Sequence, residues 1–191
     1  MALRMYTHFC EPVRGGDSGQ LVKIRPVDPN SLDTLISGRV GSLNDSGQIQ
    51  LGLASSKAMP LFVFKGVDQP SVYSPGGAGT NTYWVGGNSF AAGTTALALV
   101  ASGGWEIQTT EFDETPTYAC NDLLTVDNVG KVTKNGVDLY TTAVVGVCSV
   151  HENAQNNQEP SAQPPRGVSA NGIETLTFWS VYLPGTGTTS S

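Results

Sequence analysis

Short apolar runs, cut by turn residues roughly every 8 to 15 positions, constrain this chain more than any other feature. Several runs alternate with a period of two. In Gln48–Leu53, residues Ile49, Leu51 and Leu53 fall on one side and Gln48 and Gln50 on the other. In Glu174–Leu183, Leu176 and Phe178 fall on one side and Trp179, Val181 and Leu183 on the other. A period of two is the signature of a half-buried strand, since successive side chains of an extended backbone point to opposite faces. Leu61-Phe-Val-Phe64 is a continuous apolar run short enough for a strand buried on both faces.

Further strands are predicted at Leu21–Ile24, ending before Pro26, and at Asn81–Val85, Ala96–Val100, Trp105–Thr109, Leu123–Val126, Lys131–Thr133 and Thr142–Cys148. Ser74–Gly79 reads as a loose loop, and Ser102-Gly-Gly104 as a hairpin-like break. Asn135-Gly136 reads as a tight turn, because both residues accept positive φ. One stretch carries helix signals: Asp28 as N-cap, Pro29 at the first helical position and Gly38 as stop, giving about two turns or else an extended loop. Nine or ten short strands with Gly, Pro, Asn and Asp turns predict an all-β fold, a β-barrel or β-sandwich of antiparallel strands with long loops and extended termini.

The 191 residues are enough for one domain, burying about 70% of the unfolded surface without staples. The expected layout is an extended N-terminal arm over 1–20, a β-rich body over 21–184 with a sub-lobe boundary near 66–80, and a flexible tail over 185–191. Residues 152–172 hold little that could form a core and read as a long loop. No internal repeat is visible.

Only 14% of residues are charged, and the net charge is −6. Ten scattered cations form no basic stripe, which argues against nucleic acid and against anionic membrane surfaces. No apolar run reaches the ~18 residues of a membrane helix. The first ten residues lack the apolar stretch of a signal peptide, so synthesis in a cytoplasm is expected. Cys10, Cys120 and Cys148 are then expected to be reduced and mostly packed as small hydrophobes. Asn44-Asp45-Ser46 has no meaning beyond a turn.

The residues that could carry chemistry read more simply as structure. Gly16-Asp17-Ser18-Gly19 resembles the serine run of trypsin-like proteases, but only His8 and Glu11 precede it as base and carboxylate besides the adjacent Asp17. It reads as a turn opening the Leu21 strand. His8-x-Cys10 and Cys148-x-x-His151 could supply zinc ligands, yet their gaps match no standard framework. Glu111, Asp113 and Glu114 cluster beside Thr-Pro, where a solvated turn is the simpler reading than a glycosidase pair. Asn121-Asp122 and Asp127-Asn128 read as exposed turns. The Gly pairs at 76–77, 86–87 and 103–104 lack the Lys of a phosphate loop. Tyr83, Trp84, Trp105, Trp179 and Tyr182 sit on predicted strands, as core or cross-strand pairs ahead of a sugar platform. No catalytic, cofactor-binding or metal residue is expected.

From Trp105 to Pro184, about 40% of the chain, the sequence resembles tailed-phage capsid decoration (cement) proteins. The resembling pieces, in order, are Gly104-Trp-Glu-Ile-Gln-Thr-Thr-Glu-Phe-Asp113, Thr117-Tyr-Ala119, Leu123-Leu-Thr125 and Gly130-Lys-Val-Thr133. Val144-Val-Gly-Val-Cys-Ser149 and Leu176-Thr-Phe-Trp-Ser-Val-Tyr-Leu-Pro184 follow. Pro60–Gly66 fits the same type, and the His151–Gly172 region is longer than the loop expected there. The resemblance implies a non-enzymatic protein on the outer surface of a virion capsid, made in the host bacterial cytoplasm. Its partners would be the major capsid protein and further copies of itself, with a trimer expected. The competing readings are a fibre- or adhesin-like β module that binds glycan or another protein, and a hydrolase using Ser18 or the Glu111/Asp113 pair.

Overall fold

The computed structural model describes residues 10–15, 22–32, 35–66, 72–73, 82–83, 95–100, 104–136, 141–150, 165–168 and 174–186. The fold is all-β, with antiparallel sheets throughout. Fourteen strands are described: β1 Cys10–Gly15, β2 Val22–Pro26, β3 Val40–Leu43, β4 Ile49–Leu51, β5 Leu61–Gly66, β6 Val72–Tyr73, β7 Thr82–Tyr83, β8 Thr95–Val100, β9 Trp105–Thr109, β10 Leu123–Val126, β11 Val132–Lys134, β12 Val144–Cys148, β13 Arg166–Val168 and β14 Glu174–Leu183. One sheet runs β2-β8-β5-β3-β4. A second runs β1-β9-β14-β12-β10-β11, with β13 also on β14, and β6 pairs with β7. Among the described residues no helix is long and apolar enough to cross a membrane.

The two large sheets repeat one design. Taken in chain order, β2, β3, β4, β5 and β8 make a first unit, and β9, β10, β11, β12 and β14 a second. In each unit the first strand lies beside the fifth, then come the fourth, the second and the third. Each unit also closes on itself through a parallel bridge from just past its first strand to the start of its third, Val27 to Ile49 and Phe112 to Val132. The hydrogen bonds repeat with the strands. The Asp28 N–H donates to the Ile49 carbonyl at 2.9 Å, and the Asp113 N–H to that of Val132 at 2.8 Å. Both aspartates then accept the N–H two residues on, from Asn30 and Thr115, each at 2.9 Å.

The entry to the second strand is likewise shared. Gly38 (φ 95°) and Asn121 (φ 71°) adopt the left-handed conformation that glycine and asparagine tolerate best. Their N–H groups donate to Val63 and Cys148 carbonyls at 2.8 and 3.0 Å. The following hairpins match atom for atom. Asn44 and Asp127 open them, and each Oδ1 accepts two backbone N–H groups, from Ser46 and Gln48 or from Val129 and Lys131. Gly47 and Gly130 close them at φ 75° and 77°. An Asx side chain that mimics a turn, followed by a glycine at positive φ, is a hairpin device with a physical reason at both ends.

Several expectations are corrected here. A repeat exists, though in backbone and not in sequence. Asn135-Gly136 is no left-handed turn: Gly136 has no positive φ, and the Asn135 N–H continues the ladder to the Leu123 carbonyl at 2.8 Å. The hairpin at that point is Asp127–Gly130. The helix over 28–38 is one 3₁₀ turn, Pro29–Ser31. It is short because Ser31 is buried and its hydroxyl accepts the Leu51 N–H at 3.1 Å, which ties the segment to β4. β2 runs through Pro26, which is tolerated because β2 is an edge strand. β4 stops at Leu51 because Gly52 turns to φ 71°. Within the expected arm, Cys10–Gly15 is paired along β9, and within the expected long loop Arg166–Val168 is paired with β14. The segment near 66–80 lies between two strands of one sheet, β5 and β8, and the chain changes sheets between Val100 and Trp105. Ser74–Gly79, Trp84 and Ser102–Gly103 lie outside the described residues.

Two cores follow. The first unit encloses Val27, Leu35, Ile49, Leu61, Val63, Ala96 and Ala98. The second encloses Ile107, Phe112, Tyr118, Leu124, Val132, Cys148, Leu176 and Phe178, and it also takes in Val40 and Phe62 from the outer face of the first unit. The Phe62 and Phe178 rings meet at 5.4 Å between centroids. Around that contact the Val40 N–H donates to the Gly130 carbonyl at 2.8 Å, Thr109 Oγ1 donates to the Gly38 carbonyl at 3.0 Å, and Arg39 pairs with Glu111 at 3.1 Å. At the far end of β14, Tyr182 OH donates to the Lys57 carbonyl at 2.6 Å, and the buried Gly185 donates its N–H to the Ser56 carbonyl at 2.8 Å.

Candidate functional site

The acidic cluster is built into the fold. Glu111 is 3% exposed and faces the Arg39 guanidinium, so it holds the two units together and is not a solvated turn residue. Asp113 starts the turn described above, and its Oδ2 accepts from Thr133 Oγ1 at 3.3 Å. Hydrogen bonding from Thr115, foremost its backbone N–H, holds the Asp113 carboxyl below the ordinary carboxylate range. Glu114 is exposed, and its backbone carbonyl accepts from Arg166 Nη1 at 2.9 Å. The same guanidinium stacks over the Phe112 ring at 5.2 Å and pairs with Glu174. That hydrogen bond lowers the Glu174 carboxyl and raises Arg166. Tyr118 packs edge-on against Phe112 and donates its hydroxyl to the Asp113 carbonyl at 2.6 Å. Burial, then the nearby Asp113, raises its phenol above the usual range.

The Asn121-Asp122 and Asp127-Asn128 pairs are turns, as expected, with their carboxylates engaged. At Asp122 partial burial pushes the carboxyl up, but the hydrogen bond from Lys134, 2.8 Å away, and that from the Ala119 N–H outweigh it and leave the group lowered. Asp127 holds its own hairpin.

These lowered carboxyls set a sign. A group whose folded pKa is depressed contributes stability that is present above its unfolded pKa and is lost as pH falls through the folded one. The urea midpoint is therefore expected to hold near neutral pH and to fall as pH drops below about 4. Asp113→Asn should flatten that fall. An unchanged acid limb in urea titrations of the variant would remove Asp113 from the account.

The sulfur and aromatic groups separate into inside and outside. Cys148 sits in the second core, and burial pushes its thiol up to about 12. Cys120, expected to be packed, is exposed; it stands on the turn before Asn121, with its Sγ 3.9 Å from the Ser149 carbonyl. Trp105 is a core residue, 6% exposed, and its Nε1 is buried without an acceptor. Ser18, His8, His151 and Trp84 lie outside the described residues, as do the side chains of Cys10 and Tyr83. Among the described residues, no three His, Cys, Asp or Glu side chains converge as metal ligands would.

Several large apolar side chains also reach the surface. Trp179 is 39% exposed, on the β14 face opposite Leu176 and Phe178, where alternation places it. Leu183 is 50% exposed, but the expected alternation does not reach it, because the register with β12 shifts by one residue between Ser180 and Leu183. Leu43 and Met59, 41% and 47% exposed, flank a groove of about 260 Å³ that Arg25, Ala58, Leu61 and Val100 complete. The groove was not legible in the sequence, because Met59 is a loop residue whose exposure is set by tertiary packing. Compared with protein-family models, curated proteins and solved structures, the chain matches none.

Proposed function

We propose that this chain is a phage head decoration (cement) protein. It binds the outer surface of the assembled capsid, stabilises contacts between major capsid protein subunits and works without a reactive centre. The observation that carries this reading is the division of labour among side chains. The carboxylates at 111, 113, 122, 127 and 174 are engaged within the fold, while Leu43, Met59, Trp179 and Leu183 stand at the surface of the β body. Exposed bulky apolar groups on an otherwise polar surface suit binding to protein. The resemblance of the Trp105–Pro184 pieces supplies the kind of partner. A ligand that binds only the expanded lattice stabilises that state by mass action, and symmetric display multiplies weak contacts.

A second reading, a fibre- or adhesin-like module binding glycan, is favoured by one observation, the exposed indole of Trp179. Co-sedimentation with expanded heads lacking their decoration protein separates the two. The decoration reading expects saturable binding to expanded heads, weak binding to the precursor, and raised thermal stability of the decorated heads. Absence of binding to expanded heads, with quenching of Trp fluorescence by a glycan, would hand the assignment to the second reading.

A further inference from the structure

The contact between the two units is one-sided, and each of its unused counterparts carries exposed apolar side chains, Trp179 on one and Leu43 and Met59 on the other. Strand registers give the correspondence. Val40 pairs with Phe62 across the first sheet, and Leu123 pairs with Val147 at the same place in the second. Phe62 pairs on with Leu99, and Val147 with Trp179. On the first unit this row includes Val40 and Phe62, both fully buried against the second unit's core. On the second unit the same row is Leu123, Val147 and Trp179, of which the first two are half-buried and the indole is 39% exposed.

The receiving side shows the reverse. Leu43, Leu61 and Val100 of the first unit correspond in register to Val126, Gly146 and Ser180 of the second. Gly146 and Ser180 are buried, and Val126 packs on the core that holds Phe62. In the first unit the matching edge is the open groove with Leu43 and Met59 at its rim. The hairpins agree. A Cβ on Gly130 would lie 2.8 Å from the Val40 carbonyl oxygen, whereas one on Gly47 would meet nothing within 4 Å.

We propose that copies of this chain associate head to tail, the Leu123–Val147–Trp179 row of one copy seating over the Leu43–Met59 groove of the next. Such an interface joins two different patches, so it forms a closed ring if the rotation closes and a filament if it does not. It repeats between chains the contact that already joins the two units within one. It deepens the self-association in the decoration reading, and its test contains no capsid, so either proposal can fail alone.

The test is sedimentation equilibrium of the full chain across a wide concentration range, as wild type, as Trp179→Asp, as Met59→Asp, and as the two variants mixed. Wild type is expected to form species larger than a dimer, and each variant alone to remain a single chain. The mixture should give dimers and nothing larger, since Trp179→Asp keeps its groove and Met59→Asp keeps its row. Wild type that stays a single chain throughout, a variant that keeps the wild-type mass, or a mixture that stays monomeric would each overturn the proposal. A variant whose melting midpoint falls well below wild type is replaced by Trp179→Gln or Leu43→Gln, read in the same way.

Discussion

Phe178→Ala is expected to lower the unfolding free energy by about 3–5 kcal/mol, the usual cost of emptying a fully buried aromatic site. Phe178 is completely buried, and its ring meets Phe62 from the other unit. It also lies where a Cβ at Gly146 would stand, 2.5 Å from the ring's Cδ2. The backbone of β12 has come close because residue 146 carries no side chain, so neighbouring atoms cannot easily fill the void. Aromatic pairing adds roughly 0.5–1.5 kcal/mol beyond the area buried. Phe62→Ala should cost a similar amount although its strand belongs to the first sheet. Chemical denaturation checks both. A loss under about 1 kcal/mol at either site would mean that the two units do not share a core, since even partial truncation of a packed side chain usually exceeds that.

Gly130→Ala should cost far more than Gly47→Ala. Both glycines close the same hairpin at nearly the same positive φ, 77° and 75°, so the backbone cost of an L side chain is common to them, roughly 1–2 kcal/mol. Their surroundings differ. At Gly130 the new methyl would come within 2.7 Å of Leu51 Cδ1 and 2.8 Å of the Val40 carbonyl oxygen, and the second of these is backbone and cannot swing away. Overpacking of this kind adds about 1–3 kcal/mol, for a total of about 2–5 kcal/mol. The Val40 N–H to Gly130 carbonyl bond would also be strained. Paired urea titrations decide it, and equal losses at the two positions would show that the second hairpin does not dock on the first unit.

The all-β class was legible in the sequence because alternation and turn residues act locally. Trp105–Thr109, Leu123–Val126 and Glu174–Leu183 are strands with the expected bounds. β3 was missed because Val-Gly-Ser-Leu does not alternate, and Gly41 is there for closeness: a Cβ would lie 2.6 Å from the Gln50 carbonyl oxygen. Asn135-Gly136 misled because dipeptide chemistry permits a left-handed turn without requiring one, and here the ladder continues. The repeat was invisible for a related reason. Of the fifteen aligned pairs from Gly38/Asn121 to Gly52/Asn135, only Gly47/Gly130 is identical. What the units share is backbone hydrogen bonding and the short polar side chains that support it, and several residue types meet those needs. At the candidate surface, Trp179 could be placed outside by counting along β14. The groove could not, because its lining comes from four strands and a loop far apart in the chain.

The central claim is that two like units, joined through Val40 and Phe62, make one cooperative body. Differential scanning calorimetry of the full chain tests it most directly. The account predicts a single transition whose calorimetric and van't Hoff enthalpies agree, as expected when no part melts alone. Two resolved transitions, with Phe178→Ala shifting only one of them, would contradict it.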